Sequence, residues 1–126
     1  MSHPLPKHTW VRKFAVAFAG LFHTGRTQSS MRVHGVCGVL AVGLAVLTGL
    51  SAIEWALLFL VIGLVLGMEL LNTAIEAVVD LACPEQAELA RIAKDAAAAA
   101  VLVAAFTALL VGSCVFLPHW RHSLGF

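Results

Sequence analysis

Three long apolar runs divide the chain, at residues 33–53, 55–80 and 91–117, and short polar stretches separate them. At about 1.5 Å per helical residue each run is long enough to cross about 30 Å of hydrocarbon, so three membrane-spanning helices are predicted over these ranges. Ahead of the first run, Trp10, Phe14, Phe18, Leu21 and Phe22 recur at spacings of three and four, with Arg12 and Lys13 turned elsewhere. That pattern predicts an amphipathic helix over about residues 8–24, lying in the membrane interface with its aromatics at the acyl boundary. The polar segment Thr24 to Ser30 should interrupt it. Ser51 to Glu54 reads as a short turn, followed by Trp55 as an interfacial anchor. Pro84 breaks the connection between the second and third spans, and Leu117-Pro118 should end the third, with Trp120 as a second belt residue. Small residues at Gly63, Gly67, Ala96 to Ala100, Ala104, Ala105, Ala108 and Gly112 read as a device for close helix packing.

Composition turns this pattern into a class. Of 126 residues, 60% are hydrophobic and only 12% are charged. A soluble domain of this size could not hide so much apolar surface. The expected fold is all-α: one integral-membrane domain of three spans plus the surface helix. Lys7, Arg12, Lys13, Arg26 and Arg32 are spread through the first segment, which is unlike a secretory leader. Cys37, Cys83 and Cys114 show no metal-ligand spacing and read as packing residues. Apart from Arg121, every Lys and Arg lies in the N-terminal segment or in the stretch up to Lys94. The positive-inside rule then puts the N-terminus and the second loop in the cytoplasm and the C-terminus outside.

One part of the second run breaks its apolar character. Glu69, Asn72, Glu76 and Asp80 fall at i, i+3, i+7 and i+11, a single stripe on a helix. A charge within a span costs at least about 2.5–3.5 kcal/mol, so such residues face a bundle interior or a watery site and need a partner. A divalent cation is the most economical one. Counted from Trp55, Glu69 lies about 21 Å and Glu76 about 31 Å along the helix, which sets the stripe at the cytoplasmic boundary. Arg91, Lys94 and Asp95 return to that level in the first turn of the third helix, and Gln28 and Arg32 reach it at the entry to the first span. Asp80 could pair with Arg91 there. His23 and His34 read as polar interface residues rather than metal ligands. Carboxylates, an amide and cations at one depth form the parts list of phosphoryl transfer. Neither a G-x-x-x-x-G-K-[ST] loop nor a Rossmann glycine pattern is present, so a nucleotide would be held by other means. The alternative is an oligomeric ion or proton pathway through Glu69 and Glu76. It lacks a carrier, since no ionisable residue lies between Trp55 and Met68.

Glu69-Leu-Leu-Asn72-Thr-Ala-Ile-Glu76-Ala-Val-Val-Asp80, followed by Lys94-Asp95, resembles the signature of the prokaryotic diacylglycerol kinase family, which also contains the undecaprenol kinases. The resemblance extends through Ala17 to Leu21, Arg32-Val-His34, Glu54-Trp55 and Ala93 to Val101, nearly the whole chain. It implies a homotrimer with active sites between subunits, acting in the bacterial inner membrane on ATP and a membrane lipid alcohol, with no nucleic-acid partner. It implies that Glu69 is the general base on the lipid hydroxyl and that Glu76 binds magnesium, with Gln28 as a second ligand. Asn72, Glu76, Glu85, Lys94, Asp95, Gln28 and Arg12 would hold the nucleotide, while Arg32 and Ala98 would join Glu69 on the lipid side. Snorkelling to lipid phosphates is the simpler role for Arg12. The chain departs from the family pattern at Gln28, where a glutamate is common, at Ser29-Ser30, and at Ala87, where a histidine is common. The run through Ala97-Ala98, where the diacylglycerol branch tends to have Gly-Ser, tilts the expected acceptor toward undecaprenol.

Overall fold

The structure is a computed structural model and describes residues 9–125. Lys7 and the expected start of the surface helix near His8 lie outside the described residues. Four helices follow in order: α1 Trp10–Thr27, α2 Ser29–Thr48, α3 Ala52–Ala82 and α4 Glu88–Leu124. The last three are long and apolar enough to cross a membrane.

Local chemistry explains the breaks. Between α1 and α2 only Gln28 leaves helical geometry, with φ −102° and ψ 119°. The expected interruption over Thr24 to Ser30 therefore shrinks to one residue. Helix α2 ends at Gly49, whose φ of 75° is a left-handed cap that a residue without Cβ adopts at no steric cost. Ser51 then caps α3 in a reciprocal box with Glu54, so Glu54 belongs to the first turn of α3 rather than to a separate turn. Pro84 sits in the connection to α4. Pro118 does not end α4, which runs on to Leu124 and closes at Gly125. The proline deletes one N–H from the ladder, and the helix tolerates that loss near its end.

Helices α3 and α4 share the most extensive contact, and α2 packs on α3. Two ion pairs fix α3 and α4 antiparallel: Glu54 with His119 at one end and Asp80 with Lys94 at the other. At the Glu54 end, Ala45, Leu58, Val115 and Phe116 form the buried cluster, with Trp55 and Ile62 packed against it. Trp55 stacks on Phe59 and Phe116 on Trp120. Among the described glycines only Gly38 is closely packed: a Cβ there would stand 3.3 Å from Ile62 Cγ2. Gly63, Gly67 and Gly112 face open space within the chain, so the packing role expected of them is not used here. Ala97 and Ala104 are buried as expected. Trp10, Phe14, Phe18 and Phe22 are largely exposed along α1, as are Leu40, Leu60, Val103 and Leu110 on the spans. These are the faces a bilayer or further copies would cover.

Candidate active site

Glu69 is the most deeply buried charged residue among those described, at 2% relative exposure. Both carboxylate oxygens are engaged from α2. Ser30 donates its hydroxyl to Oε2 at 2.9 Å, and His34 Nε2 lies 3.2 Å from Oε1. Ser30 and His34 are one turn apart on α2, so both reach the same point on α3. The Glu69 carbonyl accepts from Thr73 Oγ1 at 2.9 Å. His34, read from sequence as a polar interface residue, thus touches the candidate base.

One turn further along the stripe, Asn72 donates from Nδ2 to Glu76 Oε1 at 3.1 Å. Its Oδ1 is buried and accepts no hydrogen bond. An unpaired buried acceptor costs on the order of 1–3 kcal/mol, so Oδ1 is open to a further donor or a cation. Asn72 Oδ1 and Glu76 offer the hard oxygen donors that magnesium prefers. Among the described residues no three His, Cys, Asp or Glu side chains converge as a metal site. Magnesium usually keeps several waters and binds substrate phosphates, so it needs few protein ligands.

Beyond the stripe, a cleft of about 610 Å³ lies between the end of α3, the connection and the start of α4. Asp80, Glu85, Arg91, Lys94 and Asp95 all line it. Lys94 Nζ holds Asp80 Oδ1 at 2.9 Å. Arg91 is bound to Glu88 at 2.6 Å and to Asp95 at 2.7 Å, so the expected Asp80–Arg91 pair is not formed. Because α4 starts at Glu88, Lys94 and Asp95 occupy its second turn rather than its first. Glu85 is exposed in the connection, and its carbonyl accepts from the Ala87 N–H at 2.9 Å.

The remaining candidates stand apart from these contacts. Arg32 is turned back onto α1, where Nη1 donates to the Arg26 carbonyl at 2.8 Å. Arg12 is exposed on α1, and Ala98 is exposed on α4 beside the buried Ala97. Gln28 forms the joint between α1 and α2 and makes no side-chain cap there.

Three helices able to span a membrane, a buried carboxylate and a polar cluster at one end of the bundle define the class of a multi-pass helical membrane protein. The chain belongs to the prokaryotic diacylglycerol kinase family, whose model it matches over residues 15–116. It is 45% identical over 122 residues to a diacylglycerol kinase of Synechocystis, covering 91% of this chain and 70% of that protein. It is 44% identical to the undecaprenol kinase of Bacillus subtilis, covering 85% and 87%. It is 37% identical to a diacylglycerol kinase of Escherichia coli, covering 89% of each. The chain is accordingly a multi-pass membrane lipid kinase, a phosphotransferase with an alcohol acceptor.

Proposed function

We propose that this kinase moves the γ-phosphate of ATP, with magnesium, onto the hydroxyl of a lipid alcohol at the inner leaflet of the bacterial inner membrane, undecaprenol ahead of diacylglycerol. The observation that carries this reading is Glu69, a buried carboxylate one turn from the Asn72–Glu76 pair on the same face of α3. Glu69 accepts the proton of the lipid hydroxyl, whose oxygen forms a bond to the γ-phosphorus while the bond to the departing ADP oxygen breaks. Glu76 would hold magnesium, with Asn72 beside it toward the nucleotide phosphates. Lys94 exchanges Asp80 for phosphate oxygens, with Glu85 and Asp95 along the same cleft. Arg12 on α1 and Gln28 at the joint would take the nucleotide, Gln28 also as a second metal ligand, and Arg32 stays on the lipid side. Magnesium, when bound, neutralises phosphate charge and leaves the phosphorus open to attack.

The lipid chain has a place in this scheme. An apolar groove of about 520 Å³ between α2, α3 and α4 starts at Val33 and His34, beside Glu69, and runs to Leu117 and Trp120. The exposed Ala98 carries no hydroxyl and leaves a smooth apolar wall on α4, which suits an isoprenoid chain. The test is a competition with purified protein, ATP, magnesium and equal undecaprenol and diacylglycerol in mixed micelles. Undecaprenyl phosphate is the expected main product. Phosphatidic acid as the main product overturns the choice of acceptor, and no lipid product overturns the kinase reading.

Assembly is part of the proposal. One chain offers an incomplete metal shell and leaves the apolar faces of its spans uncovered, which supports a homotrimer with sites shared between subunits. Positive charge supports a cytoplasmic N-terminus and a site open to the cytoplasm. Mixed oligomers of Glu69→Gln and Glu76→Ala subunits should then recover activity. Verified mixed oligomers with none would place both groups of a site on one chain.

A further inference from the structure

We propose that His34 and Ser30 are positioning residues for Glu69, holding its carboxylate from both oxygens in the orientation that receives the lipid proton. The inference rests on the lipid-kinase reading for its functional meaning and on two contacts for its geometry: Ser30 Oγ to Oε2 at 2.9 Å and His34 Nε2 to Oε1 at 3.2 Å. A glutamate reaches its carboxylate through three rotatable bonds, and the last is broad and two-fold. Left alone, the group would sample many orientations. A carboxylate accepts about four hydrogen bonds, so the two donors from α2 fix its plane and still leave capacity for a substrate hydroxyl.

The two residues differ in what they add. Ser30 lies at the start of α2, two positions past the Gln28 joint, so its hold depends on where that joint sets the helix. His34 lies one turn deeper and also lines the apolar groove, so one ring contacts both the base and the proposed lipid path. With a proton on Nε2, the His34 ring presents an N–H to Glu69. Misplacement of a reacting group by about 1 Å can cost on the order of 100-fold in rate, so loss of this hold should appear in kcat. A mere staple between α2 and α3 would show itself in stability and would be indifferent to whether Glu69 is a base.

The experiment uses the full chain in mixed micelles. His34→Leu should lower kcat by about 10-fold, with KM for ATP unchanged. His34→Gln, which keeps a donor at similar reach, should restore most of that loss. In a Glu69→Gln background, His34→Leu should cost no further turnover, because the group it positions is already gone. Full activity in His34→Leu, no recovery in His34→Gln, or multiplied losses in the double variant would each overturn the proposal. A second measurement needs no turnover: the ¹⁵N signal of His34 Nε2 in histidine-labelled protein should move on Glu69→Gln and hold on Glu76→Gln. An unmoved signal overturns the contact itself. Wild-type protein inactive on both lipids would overturn the kinase reading, and the His34 spectrum would then decide the contact alone.

Discussion

Glu54 and Glu69 lie on the same helix and meet the same two kinds of donor, yet they do different work. Glu54 Oε2 accepts from Ser51 Oγ at 2.9 Å, and its Oε1 lies 3.0 Å from His119 Nε2. Glu69 likewise has a serine hydroxyl on one oxygen and a histidine Nε2 on the other. At Glu54 the serine is the helix's own cap, and the carboxylate is one-quarter exposed. At Glu69 both donors come from another helix and exposure falls to 2%. The first arrangement closes a helix end and satisfies itself. The second holds a buried carboxyl group one turn from Asn72, whose Oδ1 accepts no hydrogen bond. Donor chemistry alone does not make a site. Burial and an unfinished neighbour are what single out the candidate.

The comparison can be broken at either end. Glu76→Ala should abolish measurable turnover at ordinary magnesium, whereas His119→Ala at the other end should leave it nearly intact. Phosphate transfer by both variants, measured at fixed ATP, checks this. Glu69→Gln should reduce kcat at least about 100-fold with little change in ATP affinity, in line with general-base contributions. Near-normal turnover there would remove Glu69 from the chemistry. Lys94→Met should raise KM for ATP about 10-fold through loss of a charged hydrogen bond, with a smaller change in kcat. Gln28→Glu should lower the magnesium needed for half-maximal rate, and an unchanged or raised requirement would take that position out of the metal shell. The smallest functional effect belongs to Ser51→Ala. It should lower Tm in detergent by about 4 °C through loss of the cap and leave turnover unaffected.

Much of this was legible in the residues. Apolar runs gave the spans because a helix in lipid satisfies its own backbone and needs only length and hydropathy. The stripe from Glu69 to Asp80 was legible because a helix repeats every 3.6 residues, and the structure keeps Asn72 against Glu76 as that spacing requires. Contacts that depend on the register between helices were not legible. Ser30 and Glu69 are 39 residues apart, and nothing local marks His34 as facing α3 rather than headgroups. Asp80 chose Lys94 over Arg91 because Arg91 is already held by Glu88 and Asp95 on its own helix. Pro118 misled for a different reason: the penalty for a missing N–H is local, and α4 passes over it.

The single-residue joint at Gln28 has a mechanical consequence. Helix α1 carries its aromatic face outward, while α2 begins at once with Ser29 and carries Ser30 and His34 in its first two turns. Arg32 braces the joint by reaching back to the Arg26 carbonyl at 2.8 Å. With so little slack, the direction of α1 and the start of α2 are set together, and the start of α2 holds Ser30 and His34 against Glu69. A change of angle at Gln28 would therefore move both of the side chains that touch one carboxylate.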